Sequence, residues 1–146
     1  MTTTQDQLAE AYRSTTYRVW APEGQLLLRV AQQDAGLAKL LREARVDGAA
    51  LLTAWNPGSR QRSKEENRAA QEQLLAELAA AGHACLLARN EPDSAPTGEN
   101  WTEESVLALD LQLPAARALA SRYGQLAFLW MDAGATPQLV FTAAGG

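Results

Sequence analysis

A single cysteine, Cys85, and a single histidine, His83, set the first limits on this chain. One thiol cannot close an internal disulfide, so no cross-linked framework holds the fold and a reducing cytoplasm is the expected address. One thiol and one imidazole cannot assemble a Cys/His zinc set, and Cys85 sits in an apolar run where an inert core thiol is expected. Neither a Walker A run nor a Gly-x-Gly-x-x-Gly pattern occurs. No apolar stretch approaches the roughly 20 residues of a membrane span. Met1-Thr2-Thr3-Thr4-Gln5-Asp6-Gln7 has neither the basic start nor the apolar core of a signal peptide, so no membrane partner is expected. Lysine is scarce, with Lys39 and Lys64 against eleven arginines, and the formal net charge is -4. That balance argues against a bulk nucleic-acid coat, which needs a surplus of basic residues. Arginine suits forked contacts to phosphate or carboxylate, although a GC-rich genome produces the same bias.

What the chain has is enough apolar material for one core: 146 residues, 47% hydrophobic and 21% charged. Thr4 to Gln7 fits a capping box opening a short helix within 1–14. Thr16–Ala21 and Leu26–Val30 read as a hairpin around Pro22-Glu23-Gly24. Asp34 caps a helix with Leu37, Leu40, Leu41 and Ala44 on one stripe, which completes segment 15–47. Ala49–Trp55 is a continuous apolar run and reads as a buried strand, with Asn56–Arg62 as the following loop. Ser63 and Glu66 form a second capping box; its helix runs to Ala81, with Gly82 at the left-handed position past its end. His83–Ala88 reads as a strand and 89–102 as a long loop carrying Trp101. Glu104–Leu111 is a strand, Pro114 opens a helix ending at Gly124, and Leu126–Met131 is a strand. Residues 133–146 hold a short edge strand, Gln138–Phe141, and a loose tail. The order within 48–132 is β-α-β-β-α-β, so the expected fold is α+β: a ferredoxin-like core in a single domain, with the N-terminal hairpin and helix added at one edge. That architecture hosts unrelated functions, so function has to come from the site.

Three motifs carry a resemblance. Thr53-Ala54-Trp55-Asn56-Pro57 is followed by Ser59-Arg60, Ser63 and Glu66-Asn67-Arg68. Gly82-His83 is followed by Trp101 and Glu103 to Ser105. Tyr123-Gly124-Gln125 is followed by Ala127 and Trp130. With Tyr12, Tyr17 and Arg18, this ordered set resembles the bacterial domain of unknown function 3293 family over roughly residues 10 to 132. Gly58 and Leu126 depart from that pattern, where a larger side chain and Asn are expected. The resemblance implies no reaction.

The segment Thr53–Arg60 is the candidate site because a strand, a polar loop and a helix N-terminus follow one another there. Such a place presents free N–H groups and the positive end of the helix dipole to an anion. Residues 56–68 hold four basic side chains against two acidic ones in an otherwise acidic protein. The expected contacts to a phosphate-bearing small molecule, a nucleotide or an RNA end, are Asn56, Ser59 and Arg60. Asn67 and Gln125 are expected to shape the site, and Glu104 completes the expected ligand-binding set converging on one cleft. Asn67 falls on the inward face of its helix, where a buried amide must be hydrogen-bonded; tying down the Asn56–Arg60 loop is its favoured role. Trp101 is the aromatic placed to act as a lid or stacking group. No cofactor is expected, and the oligomeric state stays open. Two other classes compete. Glu66 with Glu103 or Glu104 would hold a divalent ion in a metal-assisted phosphoesterase or nuclease. A protein-interaction accessory would show an exposed apolar patch instead.

Overall fold

Strand β3 (Gly48–Leu52) is buried along its whole length, which is what a continuous apolar run becomes when a sheet is covered on both faces. The computed structural model describes residues 4–93 and 102–143. Among them the chain is mixed α/β, with four α-helices and seven strands in one antiparallel sheet. The remaining strands are β1 (Thr15–Ala21), β2 (Gly24–Leu28), β4 (Cys85–Pro92), β5 (Glu103–Leu109), β6 (Ala127–Asp132) and β7 (Gln138–Phe141). The helices are α1 (Gln5–Arg13), α2 (Ala35–Ala44), α3 (Lys64–Ala80) and α4 (Leu113–Arg122). The strands lie in the order β2-β1-β4-β5-β3-β6-β7.

Alternation along the central strands sorts the side chains into two cores. Ala49, Leu51, Leu107, Leu109, Leu129 and Met131 face Leu37 and Leu41 of α2. Ala50, Leu52, Val106, Ala108 and Phe128 face Leu74 and Leu78 of α3 and Ala116, Leu119 and Ala120 of α4. Register keeps the sets apart, since Leu51 stands opposite both Leu107 and Leu129. A fully buried leucine contributes about 1.5–3 kcal/mol, so a one-residue slip that swapped the faces is strongly disfavoured.

The helix ends follow their sequence signals. Both capping boxes form, Thr4 with Gln7 and Ser63 with Glu66. The Asp34 carboxylate accepts the Leu37 N–H at 2.8 Å, and Gly82 takes φ +88° just past α3. Other expectations need correction. The hairpin extends the sheet beside β4, but α2 is not at that edge: it covers a face, because its apolar stripe matches the α2-side residues of β3, β5 and β6. Residues 89–92 are not loop. They continue β4 because β1 supplies a partner, from Val19 opposite Ala88 to Thr15 opposite Pro92. Arg18 reinforces this stretch, its Nε and Nη2 donating to the Glu91 carboxylate at 3.0–3.2 Å. Conversely, β3 ends at Leu52 rather than Trp55. Trp101, Glu99 and the tail 144–146 lie outside the described residues. No helix among the described residues is long and apolar enough to cross a membrane.

Candidate functional site

After Leu52 the backbone leaves the ladder, and its polar groups pass to side chains. Every buried N–H needs a partner, and the chain supplies one at each step. The Thr53 hydroxyl donates to the Glu104 carbonyl at 2.7 Å and accepts the Trp55 N–H at 3.1 Å. Gln71 Oε1 accepts the Ala54 N–H at 2.9 Å. The Asn56 N–H donates to Asn67 Oδ1 at 2.9 Å, and Asn67 Nδ2 returns a bond to Asn56 Oδ1 at 3.0 Å. Asn56 Oδ1 also accepts the Arg62 N–H at 2.9 Å. Asn67 and Gln71 are one turn apart on α3 and both are buried, Asn67 only 1% exposed. Two amides on the inward face of a helix therefore hold a strand exit in place.

The loop is seated on the opposite side by the corner between α4 and β6. Asn56 adopts the left-handed conformation, φ 48°, which Asn tolerates better than most residues. Pro57–Ser59 then forms a single 3₁₀ turn, and the Gly58 N–H donates to the Gly124 carbonyl at 2.7 Å. Gln125 Nε2 donates to the Trp55 carbonyl at 3.0 Å. Two donors in this cluster, Trp55 Nε1 and Gln71 Nε2, are buried without a partner among the described residues.

The remaining amide hydrogens of Asn56 point toward an acid. Asn56 Nδ2 donates to Glu103 Oε2 at 2.8 Å, and Asn90 hydrogen-bonds the same side chain. Burial pushes the Glu103 carboxyl above the usual carboxylate range, opposed by those two amide bonds. Its charge also raises the pKa of the buried Tyr12 and Tyr17 hydroxyls, secondary to burial.

The six residues singled out in the sequence therefore separate. Asn56, Asn67 and Gln125 meet around the Trp55 backbone. Arg60 is exposed, and its guanidinium makes no hydrogen bond or ion pair among the described residues. Glu104 is exposed and joins the cluster through its backbone carbonyl alone. Ser59 contributes backbone to the 3₁₀ turn, and its side chain lies outside the described residues. The capping box occupies the N-terminus of α3: the Glu66 carboxylate accepts the Ser63 N–H at 3.3 Å, so a negative group already sits at that end. The Ser63 bonds hold the Glu66 carboxyl below its usual range. Among the described residues no three His, Cys, Asp or Glu side chains gather into a metal-holding group.

An open cleft of about 560 Å³ lies on the other side of the loop, bordered by Pro57, Arg62, Gln73, Glu77, Arg122 and Tyr123. Arg62 reaches Glu66 only at 3.9 Å. Glu77 is more firmly held, bonded by Arg122 and, at 2.9 Å, by the Tyr123 hydroxyl; Arg122 is the main cause of its lowered pKa. Arg122, Glu77 and Gln73 had no individual signal in the sequence, since they come together only when α3 and α4 pack side by side. Gln71 did have one: an amide four residues after Asn67 shares its inward face.

A family model described as "Protein of unknown function (DUF3293)" matches residues 52–128. The matched span runs from the strand exit through both helices that border the cleft. No curated protein and no solved structure matches the chain.

Proposed function

Because this chain belongs to the DUF3293 family of proteins of unknown function, its role has to be read from its own geometry, and we propose that it binds an anionic, phosphate-bearing ligand, a nucleotide or RNA end, in the cleft beside the Trp55–Arg62 loop. The observation that carries this reading is the position of Arg62 at the cleft, with its guanidinium only loosely engaged by Glu66. The Arg62 backbone is tied to the loop by its N–H bond to Asn56 Oδ1, and a guanidinium's fork of donors matches the oxygens of a phosphate. Arg60 and Ser59 are proposed as further contacts from the loop. Asn56, Asn67 and Gln125 shape the site by holding the loop, and Glu104 does so through its carbonyl. Arg122 belongs to the rim, where Glu77 moderates its charge.

The test is thermal stabilisation across a panel of nucleoside mono-, di- and triphosphates and a 5′-phosphorylated RNA oligomer, with inorganic phosphate as reference. Stabilisation of the wild type is expected, weakened about tenfold or more in Arg62→Ala, as loss of a charge-assisted bond implies. A wild type that responds to none of them at millimolar concentration overturns the reading.

We also read the four central strands as a split βαβ unit of the ferredoxin-like kind. The order β4-β5-β3-β6, with α3 after β3 and α4 after β5, supports it. The second covered face, under α2, is an addition to that unit. A cytoplasmic address is proposed on the strength of the lone, half-buried Cys85.

A further inference from the structure

Glu103 is a carboxyl group set up as an acceptor, and among the described residues no cation pairs with it. Tyr17, Asn90 and Glu103 lie opposite one another across the adjacent strands β1, β4 and β5. The Ser105 hydroxyl donates to Asn90 Oδ1 at 2.7 Å, which turns the Asn90 Nδ2 toward the acid. Asn67 and Arg62 engage Asn56 Oδ1, which turns the Asn56 Nδ2 toward the same group. Both amides are thus oriented by other bonds to present N–H groups to Glu103, the arrangement that suits an ionised carboxylate.

Every Lys, Arg and His side chain of the sequence lies among the described residues, and none forms an ion pair with Glu103. The nearby arginines are taken. Arg18 and Arg89 bind Glu91, and Arg29 binds Asp93. From α1 and β1 the groups that sense Glu103 are Tyr12 and Tyr17, which are neutral, with stacked rings 6.2 Å apart. A half-buried carboxylate that no Lys, Arg or His side chain pairs with is costly to ionise, and an incoming cation would offset that cost.

We propose that Glu103, held by Asn56 and Asn90, is a receptor for a cationic N–H group, an alkylammonium or alkylguanidinium, carried by a small ligand. The site is half-buried rather than sealed, so such a group reaches it from solvent. It stands apart from the arginine-bordered cleft and does not depend on that cleft binding an anion. Asn56 touches both regions, with Nδ2 on Glu103 and Oδ1 on the Arg62 N–H, so occupancy at the acid is felt along the loop.

The experiment is a pH titration of the wild-type side-chain carboxyl groups by carbon-13 NMR, the Glu103 signal being assigned by its loss in Glu103→Gln. It is run in butylammonium chloride, in butylguanidinium chloride and in potassium chloride at equal ionic strength. The expected result is a saturable effect of at least one organic cation in the millimolar range, moving the Glu103 midpoint down by about one pH unit or more. Potassium leaves it unmoved, and in Glu103→Gln the Asn56 side-chain amide ceases to respond to the same cation. A Glu103 midpoint that shifts equally in all three salts overturns the proposal, as does one that shifts in none. The wild-type titration by itself decides between these outcomes if the variant proves unstable, the Glu103 signal then being assigned from Glu103→Asp.

Discussion

Gly124 lies so close beneath Pro57 that a β-carbon on the glycine would stand 2.7 Å from the proline Cβ. The two residues are 67 positions apart, yet the contact joins the segment that leaves β3 to the corner between α4 and β6. Gly124 also has φ +74°, a conformation costly for other residues. Replacing it with Ala is therefore expected to cost about 1–3 kcal/mol from backbone strain, with displacement of Pro57 added. Gly58, at φ +67° with open space around it, should accept Asn at a much smaller cost. Urea midpoints of the two variants check the contrast; equal destabilisation would refute it.

Asn67→Ala removes both halves of the reciprocal amide pair and leaves the Asn56 N–H without its acceptor. The expected loss is about 1–3 kcal/mol, the cost of a buried polar group left unpaired. Hydrogen exchange at the Asn56 amide should accelerate more than exchange in β3, because the helix and sheet are untouched. Uniform acceleration would mean that Asn67 acts on global stability alone.

Glu103 gives stability a characteristic pH dependence. Its folded pKa is raised, so the folded state holds the proton more tightly than the unfolded chain. Its contribution is complete below the ordinary carboxylate range and is lost as pH rises through the raised value. Glu103→Gln should therefore be at least as stable as wild type at neutral pH, and its advantage should shrink as pH falls through that window. Glu91 acts with the opposite sign, because Arg18 holds its pKa down and its contribution disappears as the pH falls through the lowered value. Melting temperatures of wild type, Glu103→Gln and Glu91→Gln across about pH 2 to 8, a range that reaches below and above ordinary carboxylate titration, separate the two.

Leu87 and Leu107 look alike in sequence and should behave very differently. Leu107 is fully buried in the α2-side core, whereas Leu87 is 63% exposed on the opposite face of β4. Leu107→Ala should cost about 2–5 kcal/mol and Leu87→Ala about 0.5 or less. Trp20 and Leu27 are the other exposed apolar residues on the neighbouring strands β1 and β2. If Leu87→Ala proved as destabilising as Leu107→Ala, that face would be covered in solution.

Much of the architecture was readable because it rests on local chemistry. Capping boxes at Thr4 and Ser63 name their own helices, and the short apolar run after Gly48 reads as a buried strand, which it is as far as Leu52. Strand ends were read less well. Trp55 is apolar and follows a strand, but whether it stays in the ladder depends on Gln71 and Asn67, which lie on another element. Arg89–Pro92 looks like loop until β1 is beside it. Asn67 was legible as a loop tie because an amide on an inward helical face has few other roles. The cleft was not, because Arg122 and Glu77 meet only through helix packing.

By itself, then, the sequence determined the helices, most strands and a polar segment from Thr53 to Arg60 tied to Asn67, since helix caps, periodicity and amide satisfaction act over a few residues. Only the tertiary structure decided that Asn56, Gln125 and Glu103 share one cluster while Arg60 and Glu104 face solvent. The physical reason is that a side chain's partners at a strand exit come from elements distant in the chain. Which of them arrive is set by sheet order and register, quantities that no short stretch of residues encodes.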